Sequence, residues 1–218
     1  MLDLCHLDEA GFALTLPTTY RWFLQGARLS VPFHAPQGRR VNVLGAHFTH
    51  GPQAGRLDFQ SGAVLPKSRA QKPRTTPEER AAAQGLTVDD VGPIDAERLV
   101  AFLWQIAGRP AAASPDWKRV RPLMIALDNY SVHTSQTLAE ARPQLAAANV
   151  HLIYLARSCP EQSGSAPIWN DLKQHQLPIR SFEQVADLKH AVDDALARKA
   201  QQLQQAHAKT TNIQHPAA

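Results

Sequence analysis

The strongest strand signal in the chain is RPLMIALD, residues 121–128. Residues 122–127 of this segment form a continuous apolar run, which is typical of a strand buried on both faces of a sheet. The run ends at a carboxylate, Asp128. The segment therefore predicts a central strand with an acidic residue directly at its end.

Helices and strands alternate on both sides of this strand. Before it, an apolar stripe at helical spacing predicts a helix over residues 95–107. After it, the sequence predicts a helix over residues 134–149, with Asn149 as a C-cap, and a second buried strand over residues 150–155. A last helix is predicted over residues 181–206.

The N-terminal part favours a small antiparallel meander, with strands over residues 2–7, 41–48 and 56–60. The first strand is expected to end at Asp8, with Gly11 as a breaker. Residues 64–94 predict a long loop carrying a short helix that starts at the capping box 76–79. A meander followed by alternating strands and helices predicts an α/β mixed sheet flanked by helices. A ribonuclease H-like fold has this order, as do several other α/β folds.

Composition fits one globular domain over residues 1–206 followed by a disordered tail over 207–218, since 44% of the 218 residues are hydrophobic and 19% charged. No apolar run approaches the roughly 20 residues of a membrane span, and no signal peptide is visible, so a cytoplasmic protein is expected. The 2 cysteines lack paired or zinc-ligand spacing and are expected to be reduced thiols.

The formal charge of +4 suits an anionic partner such as DNA. Solvated loops are the alternative explanation for the basic clusters. The candidate DNA-binding residues are Arg39, Arg40, Lys67, Arg69, Lys72, Arg74, Lys118 and Arg119.

Two acids are expected at strand ends, Asp8 after the first strand and Asp128 after the apolar strand. If these strands are neighbours, both carboxylates meet at one edge of the sheet. Mg²⁺ is typically held by one or two protein carboxylates together with water and phosphate oxygens. A turn or capping role is the alternative for each acid taken alone.

Short motifs in the right order carry a family resemblance that spans roughly residues 5 to 185. The segments that resemble the catalytic motifs of mariner-like DDE transposases, in particular of their bacterial insertion-sequence relatives, are LDEAGF (7–12, with Arg21, Trp22 and Gly26 beyond it), LDNYSVHTS (127–135), SCPE (158–161) and PIWNDLK (167–173). NVLGA (42–46) resembles the strand that follows the first motif in that family. The second Asp motif, with Asp-Asn followed by His, is the most specific of these.

The resemblance implies a ribonuclease H-like core in which Asp8 and Asp128 bind Mg²⁺ or Mn²⁺, with Asn129 and His133 in support. The family reaction is metal-dependent hydrolysis at transposon ends, followed by attack of the freed 3′-hydroxyl on target DNA. Transposon ends and target DNA are therefore the expected partners, and a homodimer is possible. His133 could also be only a residue at the start of a helix.

Two departures from the family pattern stand out, of which the first predicts impaired cleavage and the second the loss of sequence-specific recognition of transposon ends. The third catalytic acid is replaced by Ala166, which has no oxygen for a metal. Glu161 is a weak substitute, and Asp171 is expected to face elsewhere. Only 7 residues precede Asp8, so the family's N-terminal helix-turn-helix region is expected to be absent.

Two other kinds of protein stay open at this point. One is a catalytically inactive nucleic-acid-binding or oligomerisation remnant of a transposase, which Ala166 favours. The other is an unrelated metal-dependent hydrolase or a plain α/β binding domain, in which Asp8 and Asp128 need not be close. Trp169 is expected to be the packing anchor of its helix.

Overall fold

The computed structural model describes residues 1–14, 25–26, 39–65, 75–156, 164–178 and 181–214. These residues contain a five-stranded sheet of order β3-β2-β1-β4-β5. Its strands are β1 (Asp3–Ala13), β2 (Arg40–His50), β3 (Leu57–Val64), β4 (Leu123–Leu127) and β5 (Val150–Tyr154). The first three strands form an antiparallel meander, and β4 and β5 run parallel to β1. The predicted mixed sheet is confirmed.

Five α-helices lie in the described part of the chain: α1 (Pro77–Ala82), α2 (Ala96–Ile106), α3 (Gln136–Ala147), α4 (Ala166–Asp171) and α5 (Val185–Gln214). A 3₁₀ turn, Ser131–Thr134, precedes α3, and a π-helical turn, Leu172–Gln176, continues α4. The capping box at Thr76 is confirmed, because Thr76 and Glu79 each accept the other's backbone N–H. Asp95 caps α2 through the N–H of Arg98.

The sheet lies between two helical layers. Cys5, Leu7 and Leu44 point to one face, where they pack with buried residues of α2 and α3. Ala10 and Val43 point to the other face and pack with α4 and α5. Successive side chains of a strand point to opposite faces, so neighbours along β1 belong to different halves of the core.

β1 is longer than predicted, and this correction shapes the candidate site. It does not end at Asp8 and is not broken at Gly11, because its pairing with β2 continues to Ala13 opposite Arg40. On its other side, β4 pairs with β1 only as far as His6 opposite Ala126. The stretch of β1 from Asp8 onward therefore has β2 on one side and an open cleft beyond the end of β4 on the other.

Three further features differ from the prediction. β3 extends to Val64, and β5 lies at the edge of the described sheet, where Ile153 is exposed, instead of being fully buried. The tail expected to be disordered from residue 207 is helical as far as Gln214, because α5 continues without a break. Its alanine- and glutamine-rich sequence favours helix.

The described residues include no helix long and apolar enough to cross a membrane. Cys5 is a buried free thiol. Several predicted functional residues lie outside the described residues: Lys67, Arg69, Lys72, Arg74 and Glu161. The motif residues Arg21 and Trp22 and the rest of the segment 158–161 also lie outside them.

Candidate metal and nucleic-acid site

The two predicted carboxylates meet in one cleft. Asp8 lies two residues beyond the last β1 residue that pairs with β4, and Asp128 directly follows the end of β4. Together with Glu9 they line a cleft of about 440 Å³, to which Arg40 and Asn42 of β2 also contribute. The parallel pairing of β1 with β4 brings these acids together although 120 positions separate them in the chain.

Asp8 is held by two hydrogen bonds. Its Oδ1 atom accepts the backbone N–H of Glu9 at 2.9 Å, and its Oδ2 atom accepts the indole N–H of Trp169 at 3.2 Å. Burial raises the pKa of the Asp8 carboxyl, and the nearby charges of Glu9 and Asp128 act in the same direction. The two hydrogen bonds oppose that shift of the pKa only in part.

Trp169 reaches Asp8 because β2 carries a glycine at the facing position. Gly45 is opposite Asp8 in the β1–β2 register, and a Cβ atom at residue 45 would lie 2.5 Å from Cη2 and 2.8 Å from Cζ2 of the indole. The ring therefore occupies the space that any larger residue would fill. Trp169 is buried, as the prediction of a packing anchor requires, but its N–H also contacts the candidate site.

Asp128 is held by a buried histidine. The Nδ1 atom of His133 lies 2.7 Å from Oδ1 of Asp128, and its Nε2 atom lies 2.9 Å from Oε1 of Glu9. The His133 side chain is completely buried, whereas that of Asp128 is 58% exposed. Burial alone would lower the pKa of His133, but the hydrogen bonds and charges of Glu9 and Asp128 outweigh it and raise the pKa.

The loop after β4 is fixed by further bonds. The backbone N–H of Tyr130 donates to Oδ1 of Asp128 at 2.9 Å, and the Asn129 side chain donates to the carbonyl of Leu155 at 2.8 Å. The hydroxyl of Tyr154 donates to the carbonyl of His133 at 2.7 Å. Asn129 therefore ties the site loop to the end of β5. The hydrogen bonds to Asp128 fix the orientation of its carboxylate at the cleft.

Among the described residues, no acid takes the third position. Ala166 is the exposed first residue of α4, and Asp171 pairs with Lys199 at 2.9 Å, which agrees with the expectation that it faces elsewhere. Within the described ranges no three His, Cys, Asp or Glu side chains are arranged to hold a metal ion. Two carboxylates still match the donor set that one Mg²⁺ or Mn²⁺ takes when water and phosphate complete its shell. Asp8 and Asp128 therefore fit one ion, and no further acid of the described segments is placed to hold a second.

The structure divides the basic residues. Arg40 lines the cleft, and Arg39 is its neighbour at the start of β2. Lys118 is exposed in the segment that leads into the start of β4, at the other end of this strand from Asp128. Arg119 does not fit the prediction of a DNA contact, because its guanidinium is buried against Asp3 at 2.7 Å and also donates to the carbonyl of Ala107. Its role is to hold the start of β1.

One residue of the site, Glu9, and one contact, that of Trp169 with Asp8, were not predicted from the sequence. Glu9 directly follows Asp8. Because side chains alternate along a strand, a prediction of β1 at its full length would have placed Glu9 on the opposite face of the sheet from Asp8. The bond from Trp169 to Asp8 has no local sequence signal, because its atoms come from α4 and β1.

No family model matches the sequence, and no curated protein matches it either. Solved structures do match. A Mos1 transposase paired-end complex with left transposon end has a TM-score of 0.52 at 12% identity, over 92% of this chain and 52% of that chain. Mariner Mos1 paired-end complexes with Mn and with Mg each have a TM-score of 0.51 over the same shares, at 13% and 14% identity.

At these identities the likeness establishes the fold. The chain has a ribonuclease H-like α/β fold, with a mixed five-stranded sheet flanked by helices, and shares it with the matched part of the Mos1 transposase chains. It spans about half the length of those chains.

Proposed function

We propose that this chain acts in DNA transposition, through metal-dependent cleavage and transfer of a phosphodiester at a DNA end. The observation that carries the proposal is the meeting of Asp8 and Asp128 in one cleft at the junction of β1 and β4. The motifs around both acids resemble those of mariner-like DDE transposases and their bacterial insertion-sequence relatives. The Mos1 complexes with Mn and with Mg support a divalent ion as the cofactor.

The protein groups have separate tasks in this proposal. Asp8 and Asp128 would hold the ion, with Trp169 orienting the first carboxylate and His133 the second. A divalent ion bound there would polarise a phosphoryl oxygen of the DNA and position the phosphate for attack. Arg40, which lines the same cleft, would neutralise part of the charge of the DNA backbone.

Ala166 limits the activity expected of this site. Two-metal enzymes stabilise both the attacking and the leaving oxygen of an in-line displacement. With two carboxylates available, the second ion would lack a protein ligand, so we propose that strand cleavage is weak compared with a three-acid site.

Titration calorimetry with Mn²⁺ tests the proposal. The natural protein should bind one ion weakly, and Asp128→Asn should lose that binding. Ala166→Glu should bind more tightly or gain a second site. Asp116→Asn is the matched control, since Asp116 is an exposed acid at the other end of the sheet and its removal should change nothing. Equal binding by all four proteins would exclude a metal site at these carboxylates.

A catalytically inactive DNA-binding or oligomerisation domain is the second candidate, and the exposed methyl group of Ala166 in place of an acid favours it. This function predicts that a DNA end is bound equally well in EDTA and in Mn²⁺, without cleavage in either. Sedimentation of the protein with and without DNA would show whether a homodimer forms. Nicking that requires Mn²⁺ and is lost in Asp8→Asn would decide for the first candidate.

A further inference from the structure

One aromatic ring stands open to solvent in the part of the chain that the structure describes. Tyr130 is 56% exposed, whereas the other described aromatic side chains are buried or half-buried. It lies two residues after Asp128 and lines the same cleft as the candidate carboxylates. An exposed aromatic ring at the wall of a polar cleft is a surface on which a flat ligand can stack.

The ring is supported from behind. The backbone N–H of Tyr130 is bonded to Asp128, and its ring meets that of His133 edge to face, with centroids 6.3 Å apart and an interplanar angle of 79°. His133 is itself fixed by Glu9 and Asp128. Tyr130 therefore projects from a fixed base into the cleft, and little ordering is needed before it can bind a ligand.

The same cleft carries the groups that a nucleotide needs. Arg40 and Asn42 of β2 also line the cleft, and no carboxylate among the described residues pairs with Arg40. A guanidinium can bind a phosphate, and an amide can donate to or accept from a base or sugar. The cleft volume of about 440 Å³ lies within the range of small-ligand sites.

We propose that Tyr130, Arg40 and Asn42 form a subsite for one unpaired nucleotide of a DNA strand, beside the phosphate that the carboxylates would engage. This inference rests on the proposed function and adds the form of the substrate. Both faces of a base in the interior of a duplex are covered by neighbouring bases, so away from the terminal base pair Tyr130 can stack only on a base that has left the stack. The preferred substrate is therefore a single strand or a frayed DNA end.

Fluorescence anisotropy with a labelled short oligothymidylate, compared with a two-strand blunt duplex whose ends are closed by G·C pairs, both in EDTA, tests the subsite. The natural protein should bind the single strand more tightly than the duplex. Tyr130→Ala should weaken single-strand binding about 5- to 100-fold, as base–aromatic stacking does elsewhere. Tyr130→Phe keeps the ring and should bind as the natural protein does. Arg40→Ala should reduce the salt dependence by about one phosphate contact.

Val120→Ala is the matched control, because Val120 is an exposed apolar residue outside the cleft. The subsite is refuted if Tyr130→Ala, folded as judged by circular dichroism, binds the single strand as well as Val120→Ala does. Equal binding of strand and duplex by the natural protein also refutes it. Because the binding assay contains no metal, a failed Mn²⁺ titration would refute the proposed chemistry and leave the subsite standing. A failed single-strand binding assay together with normal Mn²⁺ binding would refute the subsite and leave the proposed chemistry standing.

Discussion

The Nε2 atom of His133 lies 2.9 Å from Oε1 of Glu9, a contact between residues 124 positions apart in the chain. The other ring nitrogen contacts Asp128, so one buried imidazole joins acids from β1 and from the loop after β4. Ionised carboxylates only accept hydrogen bonds, and the ring satisfies both when each nitrogen carries a proton. Glu9 therefore influences the position of Asp128 without facing Asp8.

Glu9→Gln should destabilise the protein and weaken the candidate site. The amide keeps the shape of the side chain but removes the charge that supports the His133 imidazolium, and hydrogen bonds to charged groups contribute about 1.5–3 kcal/mol. We expect a loss of that order in the free energy of unfolding at about pH 6, together with weaker Mn²⁺ binding. Urea denaturation and calorimetry measure the two effects. Glu97→Gln, at an exposed acid in the first turn of α2, is the control. If the two variants behave alike, Glu9 does not support the site.

Trp169→Phe should separate the packing role of the indole from its hydrogen bond. Phenylalanine keeps most of the buried apolar surface but cannot donate to Oδ2 of Asp8. A hydrogen bond to an ionised carboxylate contributes about 1.5–3 kcal/mol, whereas removal of a buried aromatic side chain costs about 3–5 kcal/mol. We expect a smaller loss of stability in Trp169→Phe than in Trp169→Ala, with a clear loss of Mn²⁺ affinity already in Trp169→Phe. Unchanged Mn²⁺ affinity in Trp169→Phe would show that the indole only packs.

Gly45→Ala should be costly because the added methyl group would overlap the Trp169 ring at 2.5–2.8 Å. Overpacking of this kind costs about 1–3 kcal/mol. Gly11→Ala is a matched control in the same sheet, since its Cβ would lie 3.6 Å from Oδ1 of Asn42, an ordinary contact. The urea midpoint should fall for Gly45→Ala and stay close to the natural value for Gly11→Ala. Equal midpoints would mean that Trp169 can move away from β2 at no cost.

The protein should lose stability at acid pH through protonation of Asp90, which lies in the turn over residues 87–91. The Asp90 carboxylate accepts hydrogen bonds from the hydroxyl group of Thr87 at 2.7 Å and from its backbone N–H at 3.0 Å, and it pairs with Lys189 at 3.0 Å. These contacts, the Thr87 hydrogen bonds first, lower the pKa of Asp90 from 3.8 to about 2. A pKa lowered on folding gives stability that is present above about pH 4 and is lost as the pH falls through about 2.

Asp90→Asn should therefore be less stable than the natural protein at neutral pH, and the difference should vanish as the pH falls toward 2. Denaturant unfolding between neutral and acid pH measures this. Asp89→Asn leaves all three contacts in place and should show no such convergence. The turn leads to Pro93 and Ile94 in the wall of the cleft, so the same titration would loosen one side of the proposed DNA site. A constant difference between Asp90→Asn and the natural protein across the range would contradict the assignment.

Much of the frame could be predicted from local patterns. The apolar run over residues 122–127, the stripe of α2 and the capping box at Thr76 each depend on residues within a few positions of one another. The end of β1 could not be predicted in this way. Asp8 and Gly11 resemble strand-ending residues, and pairing with β2 overrode that local preference as far as Ala13.

By itself, the sequence determined that two acids follow or interrupt apolar strands and that Ala166 supplies no third ligand, because these are properties of single residues and their immediate neighbours. Only the tertiary structure decided what surrounds each acid. The parallel pairing of β1 and β4 brings Asp8 and Asp128 into one cleft, while strand alternation sends Glu9 to the face that holds His133. Buried ion pairs and hydrogen bonds of this kind join groups far apart in the chain, so they depend on strand register and layer packing, which no short segment encodes.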